Sequence, residues 1–230
     1  MVKTAVIVYP GSNCDRDVRV AIANATGTEP LAVWHQNSEF PDVDLIVLPG
    51  GFSYGDYLRA GAMAAHSPIM REIKRRAKKG VPILGICNGF QILTESGLLP
   101  GALLQNSGIK FLCRDVHLRV ETSDSPFTKA YRQGAVLRIP VAHHEGKYHA
   151  DPKTLDALES ENRIAFRYCD AEGVLSERAN PNGSARNIAG VFDKERKILG
   201  MMPHPERQTE QLLGGEDGKA MFDGLVAALA

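Results

Sequence analysis

An α/β fold is predicted for this 230-residue chain: an open, mostly parallel sheet with helices on both faces and an additional antiparallel strand layer. Three observations predict it. Short apolar runs recur through the first hundred residues, each ending at a glycine-bearing turn. Helical segments with start and stop signals lie between those runs. Beyond Gly97-Leu98-Leu99-Pro100-Gly101 the pattern changes to apolar/polar alternation, the mark of antiparallel strands with one wet face. The length suits one large domain, residues 1–230, with no repeat or linker to divide it.

In order, Val2 to Tyr9 reads as a strand, Pro10 to Asn13 as a turn and Asp15 to Ala25 as a helix ending near Gly27. Leu31 to Trp34 and Leu45 to Leu48 are strands, the second running into Pro49-Gly50-Gly51 and a long glycine-rich, aromatic loop from Phe52 to Gly61. Ser67 as N-cap, Pro68 at the first helical position and Gly80 past the end frame a helix over Ile69 to Lys79. The basic residues at 74, 75, 76, 78 and 79 fit its solvated face and last turn. Val81 to Ile86 is a buried strand, and Gly89 to Glu95 continues as a helix. Phe111 to Glu121 and Ala135 to Val141 form the antiparallel layer. Asp151-Pro152 opens a helix to about Ser160, Arg163 to Cys169 is a strand, and Ile188 to Phe192 and Ile198 to Met202 flank the Asp193 to Lys197 turn. An amphipathic helix over Asp217 to Leu229 closes the domain.

Composition narrows the function. Lys+Arg 27 against Asp+Glu 27 leaves no net charge, so the footprint of a nucleic-acid binder is missing. No stretch reaches the roughly 18 apolar residues of a membrane span, and the N-terminus shows no signal-peptide pattern, so a cytoplasmic protein is expected. Cys14, Cys87, Cys113 and Cys169 are scattered, with no C-x-x-C pair, which predicts reduced thiols.

Cys87 is the leading candidate for chemistry. It stands where a buried strand turns into a helix, with Gly85 and Gly89 two residues to either side, the spacing of a nucleophile elbow with cysteine in place of serine. The first turn of the helix favours a thiolate there, and the Asn88 N–H is placed to donate to an oxyanion. Gly50-Gly51, at another strand end, is either a plain tight turn or a second oxyanion donor. Cys14 is a weaker rival at a helix start, while Cys113 and Cys169 lie in strand patterns and read as structural.

His204, fixed between Pro203 and Pro205, also follows a strand, and in an extended segment the Glu206 carboxylate reaches its ring. Cysteine, histidine and acid form a triad by role. Gly50-Gly51, Cys87 and His204 all follow predicted strand ends, which share one crevice in an open parallel sheet. No metal site is expected: His144 and His149 miss the H-E-x-x-H spacing by one, in a segment that reads as loop.

Gly85-Ile86-Cys87-Asn88-Gly89-Phe90-Gln91 and Pro203-His204-Pro205-Glu206 resemble the triad (class I) glutamine amidotransferases. The resemblance implies a three-layer, flavodoxin-like sheet and L-glutamine as substrate. It implies that Cys87 attacks the side-chain amide, His204 protonates the departing ammonia and Glu206 orients His204. Backbone N–H groups of Gly51 and Asn88 would bind the oxyanion, and Gln91 would help to hold the substrate. Four further stretches, 10–15, 48–56, 180–184 and 200–207, are similar to one branch of that family and extend the likeness over nearly the whole chain. In that branch the glutaminase is a separate subunit. Ammonia then passes to a large synthetase subunit with the help of a small bridging subunit, and ATP and Mg belong on the synthetase. No cofactor is expected in this chain, which has no G-x-x-x-x-G-K-[ST] stretch. His144 replaces the glycine of the branch's Ala-His-Gly-Glu-Gly pattern. The alternative is a stand-alone cysteine hydrolase using the same triad on peptides or γ-glutamyl bonds.

Overall fold

The structure, a computed structural model, describes residues 2–230. The strands are β1 (Thr4–Val8), β2 (Leu31–Trp34), β3 (Leu45–Leu48), β4 (Ile83–Ile86), β5 (Ala102–Leu104), β6 (Leu112–Val120), β7 (Val136–His143), β8 (Lys147–His149), β9 (Ile164–Cys169), β10 (Ile188–Phe192) and β11 (Ile198–Met201). The α-helices are α1 (Asp15–Thr26), α2 (Ile69–Lys78), α3 (Asn88–Glu95), α4 (Pro152–Ser160) and α5 (Lys219–Leu229).

Nine strands form one sheet in the order β2-β1-β3-β4-β11-β10-β9-β6-β7. The first five run parallel, and the remaining neighbours pair antiparallel. The antiparallel strands thus extend the parallel sheet, while β5 and β8 make a separate antiparallel pair. Those two strands are too short for their alternation to show in the sequence. The chain steps from β1 to β2 in one direction and from β3 to β4 in the other. Right-handed crossovers therefore put α1 and α2 on opposite faces, with the switch point between β1 and β3.

Both of the best-signalled helix ends behave differently from each other. Asp151 accepts the Thr154 N–H at 3.1 Å and caps α4 as its sequence predicts. Ser67 leaves α2 without a side-chain cap. Its hydroxyl instead meets His35 Nδ1 at 3.2 Å, beside the Tyr54 hydroxyl that reaches the same nitrogen at 2.9 Å. Arg76 also departs from the expected solvated face. It is buried, donating to Glu72 at 2.7 Å and to the carbonyls of Phe40 and Pro41, with its guanidinium 4.1 Å from the Phe40 ring centroid. A charge is tolerated there because its donors are paired.

α3 lies very close to the sheet, and glycines permit it. A Cβ on Gly89 would stand 2.0 Å from the Leu48 carbonyl oxygen, and one on Gly85 would meet Leu93 Cδ1 at 2.4 Å. On β11, a Cβ on Gly200 would strike the Phe90 ring at 2.1 Å. This contact sets the position of the helix that follows Cys87. Gly89→Ala should therefore cost about 1–3 kcal/mol of stability by overpacking, whereas Gly108→Ala, with nothing within 4 Å of its Cβ, should change little. Denaturant unfolding of the two variants measures the difference.

Candidate active site

Cys87 joins β4 to α3 with φ 50° and ψ −106°, a left-handed conformation that a non-glycine residue avoids. Its N–H donates to the Met201 carbonyl at 2.8 Å, which ties the elbow to the end of β11. Its carbonyl accepts from Phe90 and Gln91, which commits the next residues to helix. The strained corner is thus held from both sides, and the side chain projects where β3, β4 and β11 end.

β11 leads through Pro203 to His204, whose N–H donates to the Pro140 carbonyl at 2.9 Å. His204 Nδ1 lies 2.6 Å from Glu206 Oε1, and both side chains are buried. The expected extended geometry is not what joins them. Residues Pro205–Arg207 form a 3-10 turn, and it is this turn that swings the carboxylate back to the ring. Burial lowers the His204 pKa, but the charges of Glu206 and Cys87 outweigh it and raise it to about 10. The contact with Glu206 thus favours the protonated imidazole. Among the described residues no hydrogen-bond partner meets His204 Nε2.

The glycine pair after β3 completes the corner. A Cβ on Gly50 would lie 2.7 Å from His204 Cε1 and 3.4 Å from Cys87 Cβ, so only glycine lets the histidine ring approach the elbow. Gly51 adopts φ 132° against Asn13 and the Gly11 carbonyl. Among the described residues neither the Gly51 N–H nor the Asn88 N–H meets an acceptor. The Asn88 side chain is engaged, accepting from the Ser53 N–H at 3.3 Å and donating to Gln91 Oε1 at 2.9 Å. Gln91 in turn donates to the Glu145 carbonyl at 2.6 Å. One turn beyond Cys87, Gln91 thus fastens the 143–146 segment to α3.

The resemblance implies that this loop lies near the bound glutamine, and the strand leading into it, β7, brings it to the crevice. β7 is the last strand of the sheet, and its free edge returns to the crevice: the Pro140 carbonyl meets His204, and the Ala142 carbonyl accepts from Cys87 Sγ at 3.7 Å. β7 runs as far as His143, one step into what reads as loop. His143 is buried, with Nδ1 3.1 Å from Asn106 Oδ1. The Asn106 amide group donates to the carbonyls of Lys110 and His143, so its oxygen is the acceptor and His143 carries its proton on Nδ1. His144, in the position of the expected glycine, turns toward Gln105 at 3.4 Å.

Cys14 is closer to the site than its sequence context suggests. It is buried, and its sulfur lies within 4.8 Å of ligand atoms of His204 and Glu206. Its surroundings do not activate it: burial, only partly countered by Arg207, pushes the thiol up to about 12. A metal could draw on Cys14, His204 and Glu206, but the 2.6 Å contact between ring and carboxylate is a hydrogen bond with no room for an ion between them. Of the remaining cysteines Cys169 is buried and Cys113 is exposed, so only the first fits a packing role.

A sequence model of the CobB/CobQ-like glutamine amidotransferase domain matches residues 1–215, and the chain belongs to this family. Curated relatives place it beside the PurQ subunits of phosphoribosylformylglycinamidine synthase. It is 56% identical to that of Zymomonas mobilis, over 99% of this chain and 100% of the relative. It is 55% identical to that of Rhodospirillum rubrum, over 99% of each. Among solved structures, the structure of PurLQS from Thermotoga maritima matches with a TM-score of 0.87 and 47% identity, covering 100% of both chains. The glutaminase domain of Trypanosoma brucei CTPS with bound acivicin shares the fold, with a TM-score of 0.60 at 14% identity.

His143 makes the site sensitive to acid. Burial, then the charge of His204, lowers its pKa from 6.5 to about 4. Between these values the unfolded chain binds the proton that the folded chain refuses. Its stabilising contribution is therefore complete above pH 6.5 and is lost as pH falls through 4. Denaturant unfolding should show roughly 3 kcal/mol less loss between pH 7.5 and 4 in His143→Gln than in the parent chain.

Proposed function

We propose that this chain is a single glutaminase domain that hydrolyses L-glutamine to glutamate and ammonia through Cys87, His204 and Glu206. In this reading the ammonia goes to a large synthetase subunit, aided by a small bridging subunit. With ATP and Mg on the synthetase, the complex converts formylglycinamide ribonucleotide to formylglycinamidine ribonucleotide in de novo purine synthesis. The names of the relatives, PurQ and PurLQS, support the assignment of partners. Reduced cysteines suit a cytoplasmic setting.

The observation that carries the reading is the buried His204–Glu206 pair, 2.6 Å apart, set beside a cysteine on a strained elbow. The Cys87 thiolate attacks the side-chain carbonyl carbon of glutamine. Negative charge moves to the carbonyl oxygen, which the unpaired N–H groups of Gly51 and Asn88 stabilise. Protonated His204 gives its Nε2 proton to the amide nitrogen, the C–N bond breaks, and ammonia leaves a γ-glutamyl thioester on Cys87. Neutral His204 then takes a proton from water as the water attacks the thioester. Glutamate departs, and thiolate and imidazolium are restored. Throughout, Glu206 fixes the ring and offsets its charge. Gln91 acts through the substrate-facing 143–146 segment that its amide holds to α3.

Two outcomes test the assignment. Cys87→Ser should lower glutamine-dependent synthesis by the assembled complex at least about 1,000-fold while free ammonia still supports synthesis. Loss of the ammonia-supported rate in a properly folded complex would contradict a dedicated glutaminase role. Glu206→Gln should lower glutamine turnover less than His204→Ala, because an amide still holds the ring whereas removing His204 leaves no proton donor. Steady-state rates at several pH values, on variants that bind the synthetase normally, decide the order.

A further inference from the structure

The Pro10 to Asp15 turn has no part in the reaction as written, yet it delivers Cys14 to the back of the triad. Arg207, next in sequence to Glu206, reaches across to this turn. Its Nη2 donates to Cys14 Sγ at 3.1 Å, and its Nε donates to Asp17 Oδ2 at 3.1 Å. Near this contact, Glu206 Oε2 is buried and has no hydrogen-bond partner among the described residues. The His204 ring pairs only with Oε1, so a further positive charge nearby still stabilises the Oε2 side of the carboxylate. We propose that Arg207, held in place by Asp17 and the Cys14 sulfur, is a positioning residue that stabilises the negative charge of Glu206 and thereby keeps His204 set for proton transfer.

The chemistry of Cys14 fits this task. A thiol that stays protonated at neutral pH offers a sulfur lone pair to the guanidinium without cancelling its charge. An aspartate in the same place would cancel it. Burial lowers the Arg207 pKa, and the carboxylates of Glu206 and Asp17 act against it, in keeping with a guanidinium that feels the Glu206 charge. Beside Glu206 stand His204 on its own turn and Cys14 at the end of the turn before α1, and Asp17 of α1 and Arg207 line the same cavity as Glu206. Arg16, Asp115 and Glu210 line the same cavity of about 690 Å³. The Arg207 side chain is 37% exposed, so solvent moderates its field and the effect is that of a neighbouring rather than a buried charge.

The inference rests on the triad reading, and the experiment separates the two. Glutaminase rates of the assembled complex are measured against pH, with the ammonia-supported rate confirming folding and docking. Arg207→Gln should move the acid limb of the profile up by about one pH unit, since the carboxylate charge loses its support. Arg207→Lys, which keeps the charge, should restore the limb. Cys14→Ala should move the limb the same way but less, while Cys14→Ser, which keeps an acceptor for Nη2, should hold it in place. This pair carries the test if Arg207→Gln fails to fold. In Glu206→Gln, adding Arg207→Gln should cause no further loss. An unmoved limb in Arg207→Gln or Cys14→Ala, or losses that multiply in the double variant, would overturn the inference. Unimpaired turnover in Glu206→Gln alone would instead count against the triad.

Discussion

The backbone of Cys87 is the constraint on which the site depends. A non-glycine residue at φ 50° and ψ −106° costs on the order of 1–3 kcal/mol, and the fold holds it there by fixing both of its neighbours. β4 is locked between β3 and β11, and α3 is pressed onto the same strands through Gly85, Gly89 and Gly200. Between two elements so placed, the chain has only a sharp corner available. The corner aims the sulfur into the crevice and opens the first turn of α3, where amide N–H groups have no carbonyl to meet. The strain has a structural cause, since a relaxed turn would need the helix to lift from the sheet.

Convergence of distant segments on that corner follows from topology. The strand order puts the ends of β3, β4 and β11 side by side, which brings Gly50-Gly51, Cys87 and His204 together. The antiparallel extension then curls until the free edge of β7 faces the same point. There its carbonyls at 140 and 142 engage His204 and Cys87. A single sheet therefore builds the floor of the site with its parallel half and one wall with its far edge.

Local signals in the sequence carried the parallel half well. Glycine punctuation, the apolar runs and the caps at Asp151 and Gly27 all correspond to real element ends. The elbow was legible because its sterics demand glycine at fixed offsets from Cys87. What stayed hidden is what depends on tertiary placement. No spacing in the sequence tells that β7 is an edge strand that returns to the crevice, or that Cys14 comes within 4.8 Å of His204 and Glu206. Arg76 reads as one more cation on a helix face because its partners, the carbonyls of Phe40 and Pro41, lie in a loop over thirty positions earlier. The His204–Glu206 contact was foreseen, but from an extended segment where the chain in fact makes a 3-10 turn. Two geometries bring residues two apart to one side, and the prolines that flank His204 are compatible with both.

The central claim is that the carbon of the glutamine side chain becomes bonded to Cys87 and to no other cysteine, although Cys14 is buried nearby. Acid quenching of the assembled complex during glutamine turnover, followed by digestion and mass spectrometry, tests it directly. The peptide containing Cys87 should carry the added mass of one γ-glutamyl group, with Cys14, Cys113 and Cys169 unmodified. A γ-glutamyl adduct on Cys14 with Cys87 bare would contradict the account and move the reaction to the first β-turn-α loop.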